Sequence, residues 1–311
     1  MNGRILVGSC SWTDPTLISS GRFYPKGVHS AEARLRYYAR QFPIVEVDST
    51  YYAPPTVENA TLWARRTPDG FVFDVKAFGL LTGHMARVDR LPPWLRDGVL
   101  PEASGKRNVY RGDLDPATLE LLWLEHAKAL APLREAGKLG AVLFQFPPWF
   151  TRSHAAIDYL REVRERLAGW RLAVEFRGGG WMDGGAAARS LGLLDELGLC
   201  YVSVDEPQGF DSSTPPVAAA TGDLAVVRLH GRNAATWKIK SGAASDRFKY
   251  LYSDAELQEW APRVAELAEQ AGEVHVLFNN NYEDWGMRNA RRMAQLLGVP
   301  GGDGQTELAV D

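Results

Sequence analysis

The sequence predicts an α/β protein built as a single (β/α)8 barrel, and three observations support this fold class. Eight short apolar runs recur along the 311 residues. Helical patterns separate most of these runs, as parallel strands joined by crossover helices require. Most runs also end in polar residues, which such a barrel gathers on one face. An eight-stranded barrel takes about 250 residues, so the chain has room for inserted loops.

The eight predicted strands are short, and each ends near charged or amide side chains. They cover residues 5–8, 44–47, 71–75, 142–144, 172–174, 201–204, 226–229 and 274–278. Helices cover the outside of a barrel, so the outward face of each strand must also be apolar. Charged residues on these strands are therefore expected in the lumen or at its rim.

Helices are predicted from N-cap residues and apolar periodicity, with Ser30 and Asp115 as clear caps. The predicted helices cover residues 30–41, 56–66, 116–136, 153–167, 183–197, 253–271 and 287–297. Long loops are expected after strand 3, over residues 78–115, and after strand 7, over residues 233–253. The aromatic and apolar content of the first loop favours an ordered lid over a disordered segment.

Composition indicates a globular protein with no attraction for polyanions overall. Hydrophobic residues make up 45% of the chain, charged residues 23%, and the formal net charge is -3. One domain over residues 1–298 and a fraying, flexible tail over residues 299–311 are expected. Two cysteines, no signal peptide and no bilayer-spanning apolar stretch predict a cytoplasmic protein without a membrane partner.

Alternation along the strands predicts a charged barrel mouth, because side chains two residues apart share a face. This mouth comprises Glu46, Asp48, Asp74, Lys76, Glu175, Arg177, Asp205, Arg228 and His230. Removing so many charges from water is costly unless they pair. An internal ion-pair network is therefore the alternative to a ligand site, above all for Glu46, Asp74 and Arg228.

The residue types at the predicted mouth indicate acid–base chemistry on an anion. His230 is the predicted general acid or base, because its ordinary pKa lies near neutrality. Glu175 or Glu46 would orient His230 or act as a base. Guanidinium and ammonium groups suit phosphate or carboxylate. The predicted anion-binding residues are Lys76, Arg177, Arg228 and Arg232.

Amides and aromatic rings beside the strand ends extend the predicted binding set. Carboxamides recognise hydroxyl and carbonyl groups, and aromatic rings can stack on a sugar or a base. The set comprises Gln145, Asn279, Asn280, Trp12 and Tyr51, with Asp48 at the end of strand 2. Bonds to the loop backbone are the alternative role for Asn280, and closure of the core is the alternative for Tyr51.

No cofactor or metal is predicted, since the six histidines form no HxH or HExxH arrangement and no phosphate-binding or dinucleotide motif occurs. A divalent ion held by strand-end carboxylates with His230 and His84 is the weaker alternative. The loop over residues 233–253 interleaves aromatic rings with lysines and arginines, which makes it an alternative contact surface for nucleic acid. A solvated flap explains the same composition. The sequence gives no indication of oligomeric state.

The same stretches resemble domain-of-unknown-function family 72, the YecE-like proteins, over about residues 8–297. The resemblance rests on residues 8–12, 23–25, 45–52, 73–76, 145–148, 174–177 with Trp181, 228–232 and 278–280. It implies a TIM-type barrel and no established activity. Two positions depart from the family pattern: Asp48 replaces an asparagine, and Asn281-Tyr282 stands where a histidine often follows the paired asparagines.

The residues and the resemblance together predict an uncharacterised TIM-barrel enzyme. Its substrate would be an anionic, phosphorylated or carboxylated sugar-like molecule at the C-terminal barrel mouth, and its reaction a hydrolysis, lyase step or isomerisation. One alternative is a nucleic-acid-associated barrel resembling abasic-site endonucleases, an analogy at the level of the fold. The other is a non-catalytic barrel that binds a metabolite or a partner.

Overall fold

The computed structural model describes residues 3–178, 180–237 and 247–301, and eight strands within them close into a parallel barrel. With two further short strands outside the barrel, the described residues form β1 (Arg4–Cys10), β2 (Ile44–Val47), β3 (Val72–Lys76), β4 (Ala86–Arg87), β5 (Asn108–Val109), β6 (Leu139–Gln145), β7 (Leu172–Glu175), β8 (Cys200–Asp205), β9 (Leu224–Leu229) and β10 (Glu273–Phe278). The barrel order is β1-β10-β9-β8-β7-β6-β3-β2, whereas β4 and β5 form a separate ribbon. The predicted (β/α)8 fold class is confirmed.

Helices follow most of the barrel strands, close to the predicted bounds. They are α1 (Pro15–Ser20), α2 (Ala31–Gln41), α3 (Val57–Arg65), α4 (Pro93–Arg96), α5 (Pro116–Glu135), α6 (His154–Arg166), α7 (Ala186–Glu196), α8 (Asp254–Gln270) and α9 (Trp285–Leu297). The Ser30 hydroxyl and the Asp115 carboxylate accept backbone N–H groups at the starts of α2 and α5. Residues 206–223, between β8 and β9, contain no helix. The chain therefore supplies its own caps at the predicted positions.

The segment between β3 and α5 is more structured than the sequence predicts. It contains short 3-10 turns, α4, and the antiparallel ribbon in which Ala86 pairs with Val109. Leu80, Leu81 and Leu95 are fully buried. This burial of apolar side chains fixes the segment against the barrel.

Apolar side chains fill both sides of the barrel wall. Between strands and helices lies a large core cluster, and a second cluster fills the lumen. On β9, for example, Val226 belongs to the lumenal cluster, whereas Val227 and Leu229 pack outward. Arg228 shares the lumenal face with Val226 by alternation. The strand pattern thus turns Arg228 inward, beneath the barrel mouth.

A separate ionic cluster occupies the N-terminal end of the lumen. His275 contacts Asp74 through Nδ1 and Glu273 through Nε2, at 2.8 Å each. Glu273, the first residue of β10, also pairs with Arg4 and Arg171. Although burial opposes a charged imidazole, the two carboxylates raise the pKa of His275 to about 9. The prediction that Asp74 belongs to the mouth is therefore wrong.

Candidate active site

Arg228 is the centre of the charged cluster in the C-terminal half of the lumen, and it is completely buried. Nε and Nη2 donate to the two carboxylate oxygens of Glu46, at 2.7 Å each. Nη1 donates to Glu175 and to Gln145, and Nη2 reaches the sulfur of Cys10. All five N–H groups are engaged, so Arg228 has no donor left for an anion. The internal ion pair describes Glu46 and Arg228 better than substrate binding does.

Arg177 extends this network toward the rim. Its Nε lies 2.7 Å from Glu175 Oε1, and Nη1 donates to Glu206. Its Nη2 lies 3.1 Å from Nε2 of His230. A continuous series of ion pairs therefore crosses the lumen from β2 to the end of β8. The series runs Glu46, Arg228, Glu175, Arg177, Glu206.

The two acidic residues beside Arg177 differ in protonation. Although burial opposes ionisation, Arg177 and Arg228 hold the pKa of Glu175 well below its usual range. Among the described residues, Glu206 forms an ion pair with Arg177 alone, and burial raises its pKa to about 7. The backbone N–H of Thr214 donates to Glu206 Oε1 at 2.7 Å. Glu175 is thus a permanent carboxylate, whereas Glu206 exchanges its proton near neutral pH.

Sequence reasoning chose Asp205 for the mouth and overlooked Glu206. Val202 and Val204 belong to the lumenal cluster, so alternation turns Glu206 inward and Asp205 outward. Asp205 accepts from Trp260 Nε1 at 2.5 Å, in the layer between strands and helices. The prediction of a lumenal Asp205 is therefore wrong, and the signal for Glu206 was the strand period itself.

Arg232 lies at the outer rim with Asp205, and both residues line a pocket together with Glu206. Its Nη2 donates to Asp205 and to Glu259, at 2.8 Å each. Tyr252 donates its hydroxyl to the same Asp205 carboxylate. Arg232 thus joins residues after β9 to α8, and the structure does not bring it together with Arg177.

His230 is buried between an amide and the ion-pair network. Asn279 Nδ2 lies 2.8 Å from Nδ1, and Asn281 donates to the Oδ1 of the same Asn279. The other ring nitrogen, Nε2, faces Arg177 Nη2 and lies 3.3 Å from Glu175 Oε1. Burial and the charge of Arg177 lower the pKa of His230 to about 3. The expectation of a His230 that titrates near neutrality is wrong, and the ring is a neutral imidazole at physiological pH.

Lys76 ends β3, and Asp48 directly follows β2. Both lie across the lumen from Glu206, which follows β8. Burial and the charge of Arg228 lower the pKa of Lys76. Burial and the charge of Glu46 raise the pKa of Asp48 to about 6. This side of the site therefore holds a second carboxyl group that takes up a proton just below neutral pH.

Aromatic rings border the mouth on two sides. One wall comprises Tyr51, Tyr52, His84 and Trp149, and the other comprises Trp237 and Phe248. Tyr52 is 55% exposed and Trp149 is 62% exposed, so their rings are accessible from solvent. Burial lowers the pKa of His84 to about 4, and its Nδ1 lies 2.8 Å from the Thr82 hydroxyl. The walls offer apolar faces above a charged floor.

Two predicted binding residues face away from the mouth. Trp12 is only 7% exposed and packs edge-on against Trp63 and Phe73. Asn280 Nδ2 donates at 2.8 Å to the Tyr250 carbonyl and to the amide oxygen of Asn289 on α9. Trp12 closes the core, and Asn280 joins loop and helix, which is the alternative role that its sequence context also allowed.

The described residues contain neither a candidate metal site nor a membrane-spanning helix. Across residues 3–178, 180–237 and 247–301, no group of three or more His, Cys, Asp or Glu side chains could hold a metal ion. In the same ranges, no helix has the length and apolar character needed to cross a bilayer. The predicted nucleic-acid surface over residues 233–253 includes residues 238–246, which lie outside the described residues.

The fold and the site define a TIM-type barrel with an ionic cluster in its lumen, below the carboxyl ends of its strands. The family model described as "Protein of unknown function DUF72" matches residues 6–308, and the chain belongs to this family. The UPF0759 protein YunF of Bacillus subtilis is 31% identical over 299 residues, which cover 95% of either chain. The family resemblance predicted from the sequence is confirmed.

Solved structures of the same family share the fold over nearly the whole chain. A DUF72 family protein of Enterococcus faecalis has a TM-score of 0.77 at 26% identity, covering 98% of this chain and 100% of that protein. A DUF72 family protein of Thermotoga maritima has a TM-score of 0.74 at 28% identity, covering 95% and 99%. The names of these relatives state a family and no activity.

Proposed function

We propose that the barrel is an enzyme that carries out acid–base chemistry on an anionic, sugar-like small molecule bound in its mouth. The observation that carries this proposal is Glu206, a buried carboxyl group with a pKa of about 7 in contact with Arg177. Efficient proton transfer requires a pKa near the working pH. Perturbed carboxyls in concave, charged sites are characteristic of catalytic acids and bases.

The charge balance of the lumen favours an anionic ligand. Arg177 and Arg228 supply two positive groups and Lys76 a third basic group, whereas Glu46 and Glu175 are paired with the arginines. The remaining acids, Glu206 and Asp48, have raised pKa values and are partly protonated near neutral pH. A bound anion would raise both pKa values further, because like charges disfavour ionisation. Ligand binding would thereby load Glu206 with the proton it is to donate.

The other groups divide the remaining tasks of such an enzyme. His230 would remain a neutral imidazole, with its ring held in place by Asn279 and Arg177. The aromatic walls would cover the apolar faces of a sugar ring, as aromatic side chains do through stacking. Glu206 would act as the general acid or base in a hydrolysis, lyase step or isomerisation.

The proposal is tested with a thermal-shift screen of phosphorylated and carboxylated sugars, followed by turnover assays on the compounds that bind. A specific ligand raises the Tm by mass action. The Glu206→Gln variant keeps the size of the side chain and removes its titration. We expect it to retain ligand-induced stabilisation while turnover falls by about 10²–10⁴-fold, the usual contribution of a general acid or base.

Glu259→Gln is the matched control, because Glu259 is half exposed and pairs with Arg232 outside the lumen. It should turn over at the parental rate. Equal turnover by Glu206→Gln and the parent would contradict the assigned role. Stabilisation by a ligand without turnover of any bound compound would favour a non-catalytic, metabolite-binding barrel instead.

A further inference from the structure

Lys76 differs from the other cations of the lumen in its partners. Arg177 and Arg228 each contact two carboxylates. Within the described part of the chain, Lys76 has no carboxylate within 4 Å. The group that its ammonium contacts is the ring of Tyr51, 4.8 Å from Nζ to the centroid. The site thus keeps a lysine beside a buried guanidinium without neutralising it.

This environment favours the neutral amine. Both burial and the charge of Arg228 disfavour the ammonium form, and they lower the pKa of Lys76. A lysine that is desolvated beside another cation is activated as a nucleophile toward carbonyl compounds. Arginine in the same place would supply charge but no such nucleophile, because it stays protonated. Lys76 as a residue is partly exposed, so some of its side chain is accessible to solvent.

We propose that Lys76 is a nucleophile that forms an imine with the ligand, and that the substrate is an anionic aldehyde or ketone. This inference rests on the proposed function and narrows its substrate class. Lys76 lies on the lumenal face of β3, within range of the Asp48 charge, and the aromatic Tyr51 covers one side of its ammonium. A carbonyl carbon bound above Arg228 would therefore meet an amine, with a carboxyl group at the end of the neighbouring strand.

The step balances with groups already in the site. The lone pair of neutral Nζ attacks the carbonyl carbon, a C–N bond forms, and the carbonyl π electrons move to oxygen. One of the two amine protons moves to this oxygen, which gives a neutral carbinolamine. The carboxyl group of Asp48 then protonates the hydroxyl, which leaves as water while the C=N bond forms, and the second amine proton passes to the Asp48 carboxylate. No oxidant or reductant is consumed.

The test is borohydride trapping with glyoxylate, the smallest carboxylated aldehyde, on the intact chain at pH 7. Borohydride delivers hydride to the imine carbon and leaves a stable carboxymethyl group that peptide mass spectrometry locates. We expect labelling of Lys76 to exceed that of the exposed Lys106 and Lys128 by at least about tenfold, because its lowered pKa leaves more free amine at pH 7. Labelling of Lys76 no higher than that of Lys128 would overturn the proposal.

Lys76→Arg keeps the charge and cannot form an imine, so its labelling at this position should vanish while Lys106 and Lys128 react as before. Because the primary result is measured on the parent protein, it does not depend on the folding of this variant. Anion binding is scored separately from the Tm rise with glycerol 3-phosphate, which has no carbonyl group. An unlabelled Lys76 with this stabilisation intact overturns the imine alone, and loss of both overturns the proposed function as well.

Discussion

Arg228 uses all five of its donors inside the protein, so its substitution should affect stability more than ligand affinity. The Arg228→Met variant would leave Glu46 without its bidentate partner in a fully buried position. Removing one partner of a buried ion pair costs about 3–5 kcal/mol, because the other charge stays desolvated. We expect a loss of this size in the free energy of unfolding, measured by urea denaturation.

Arg166→Met provides the matched control, since Arg166 also contacts two carboxylates, those of Glu120 and Glu162, but at the surface. Exposed ion pairs contribute about 0–1 kcal/mol. Similar losses in the two variants would show that the lumenal arginine is not paired as described.

The protonation of His275, at the N-terminal end of the lumen, should make the free energy of unfolding depend on pH. Its folded-state pKa of about 9 lies above its ordinary value of 6.5, so the native state binds the proton more tightly. The resulting stabilisation is complete below pH 6.5 and is lost as the pH rises through 9. The difference between these two pKa values corresponds to about 3 kcal/mol in the free energy of unfolding. Urea unfolding at pH 6 and above pH 9 should show this loss in the parent.

The His275→Gln variant removes the titrating ring and keeps an amide that can bond to Asp74. Its free energy of unfolding should fall less than that of the parent over the same pH interval. An equal fall in both proteins would mean that the imidazole of His275 is not the proton-binding group.

At the scale of the element, side-chain alternation explains both the success and the failure of the sequence prediction. On β9 it correctly turned Arg228 and His230 inward. On β8 the polar pair after Val204 offered two acids, and the prediction did not extend the period of two from Val202 and Val204 to Glu206. The structure resolves the choice through Val202 and Val204, which point inward four and two residues before Glu206.

Gly140 on β6 makes room for the ion pair at the N-terminal end of the lumen. A Cβ atom at this position would lie 2.4 Å from Asp74 Oδ1 and 2.8 Å from His275 Cε1. Overpacking of this kind costs about 1–3 kcal/mol. We expect Gly140→Ala to lower the free energy of unfolding by that amount and to weaken its pH dependence, as measured by urea denaturation.

The same substitution in α7 should have the opposite sign. A Cβ on Gly192 would meet no atom within 4 Å, and alanine is favoured over glycine in a helix by about 1 kcal/mol. Gly192→Ala should therefore stabilise the protein slightly. Destabilisation by both substitutions would argue against a specific role for the space at Gly140.

At the scale of the whole molecule, the fold was predictable because it depends on local patterns. Apolar runs, caps and strand-end polar residues each occupy short stretches of chain. The site was only partly predictable, because its contacts join residues far apart in sequence, such as Arg228 and Glu46, separated by 182 positions. Strand register and barrel closure determine such contacts, and neither is encoded in a short window.

Protonation in the site also depends on the whole barrel. Reference pKa values pointed to His230, but burial and Arg177 make that ring neutral. Burial also raises the pKa of Glu206 to about 7, the range in which His230 was expected to titrate. Three-dimensional desolvation, which no linear pattern records, therefore decides that a carboxyl group rather than the imidazole has a pKa near neutrality.

The most direct measurement is a pH titration of the glutamate side-chain carboxyl carbons by 13C NMR, in the parent and in Glu206→Gln. The account predicts one glutamate resonance in the parent that titrates near pH 7 and is missing from the variant. If every glutamate in the parent titrates in the ordinary acidic range, or if the neutral titration persists in the variant, the barrel mouth is not the acid–base site described above.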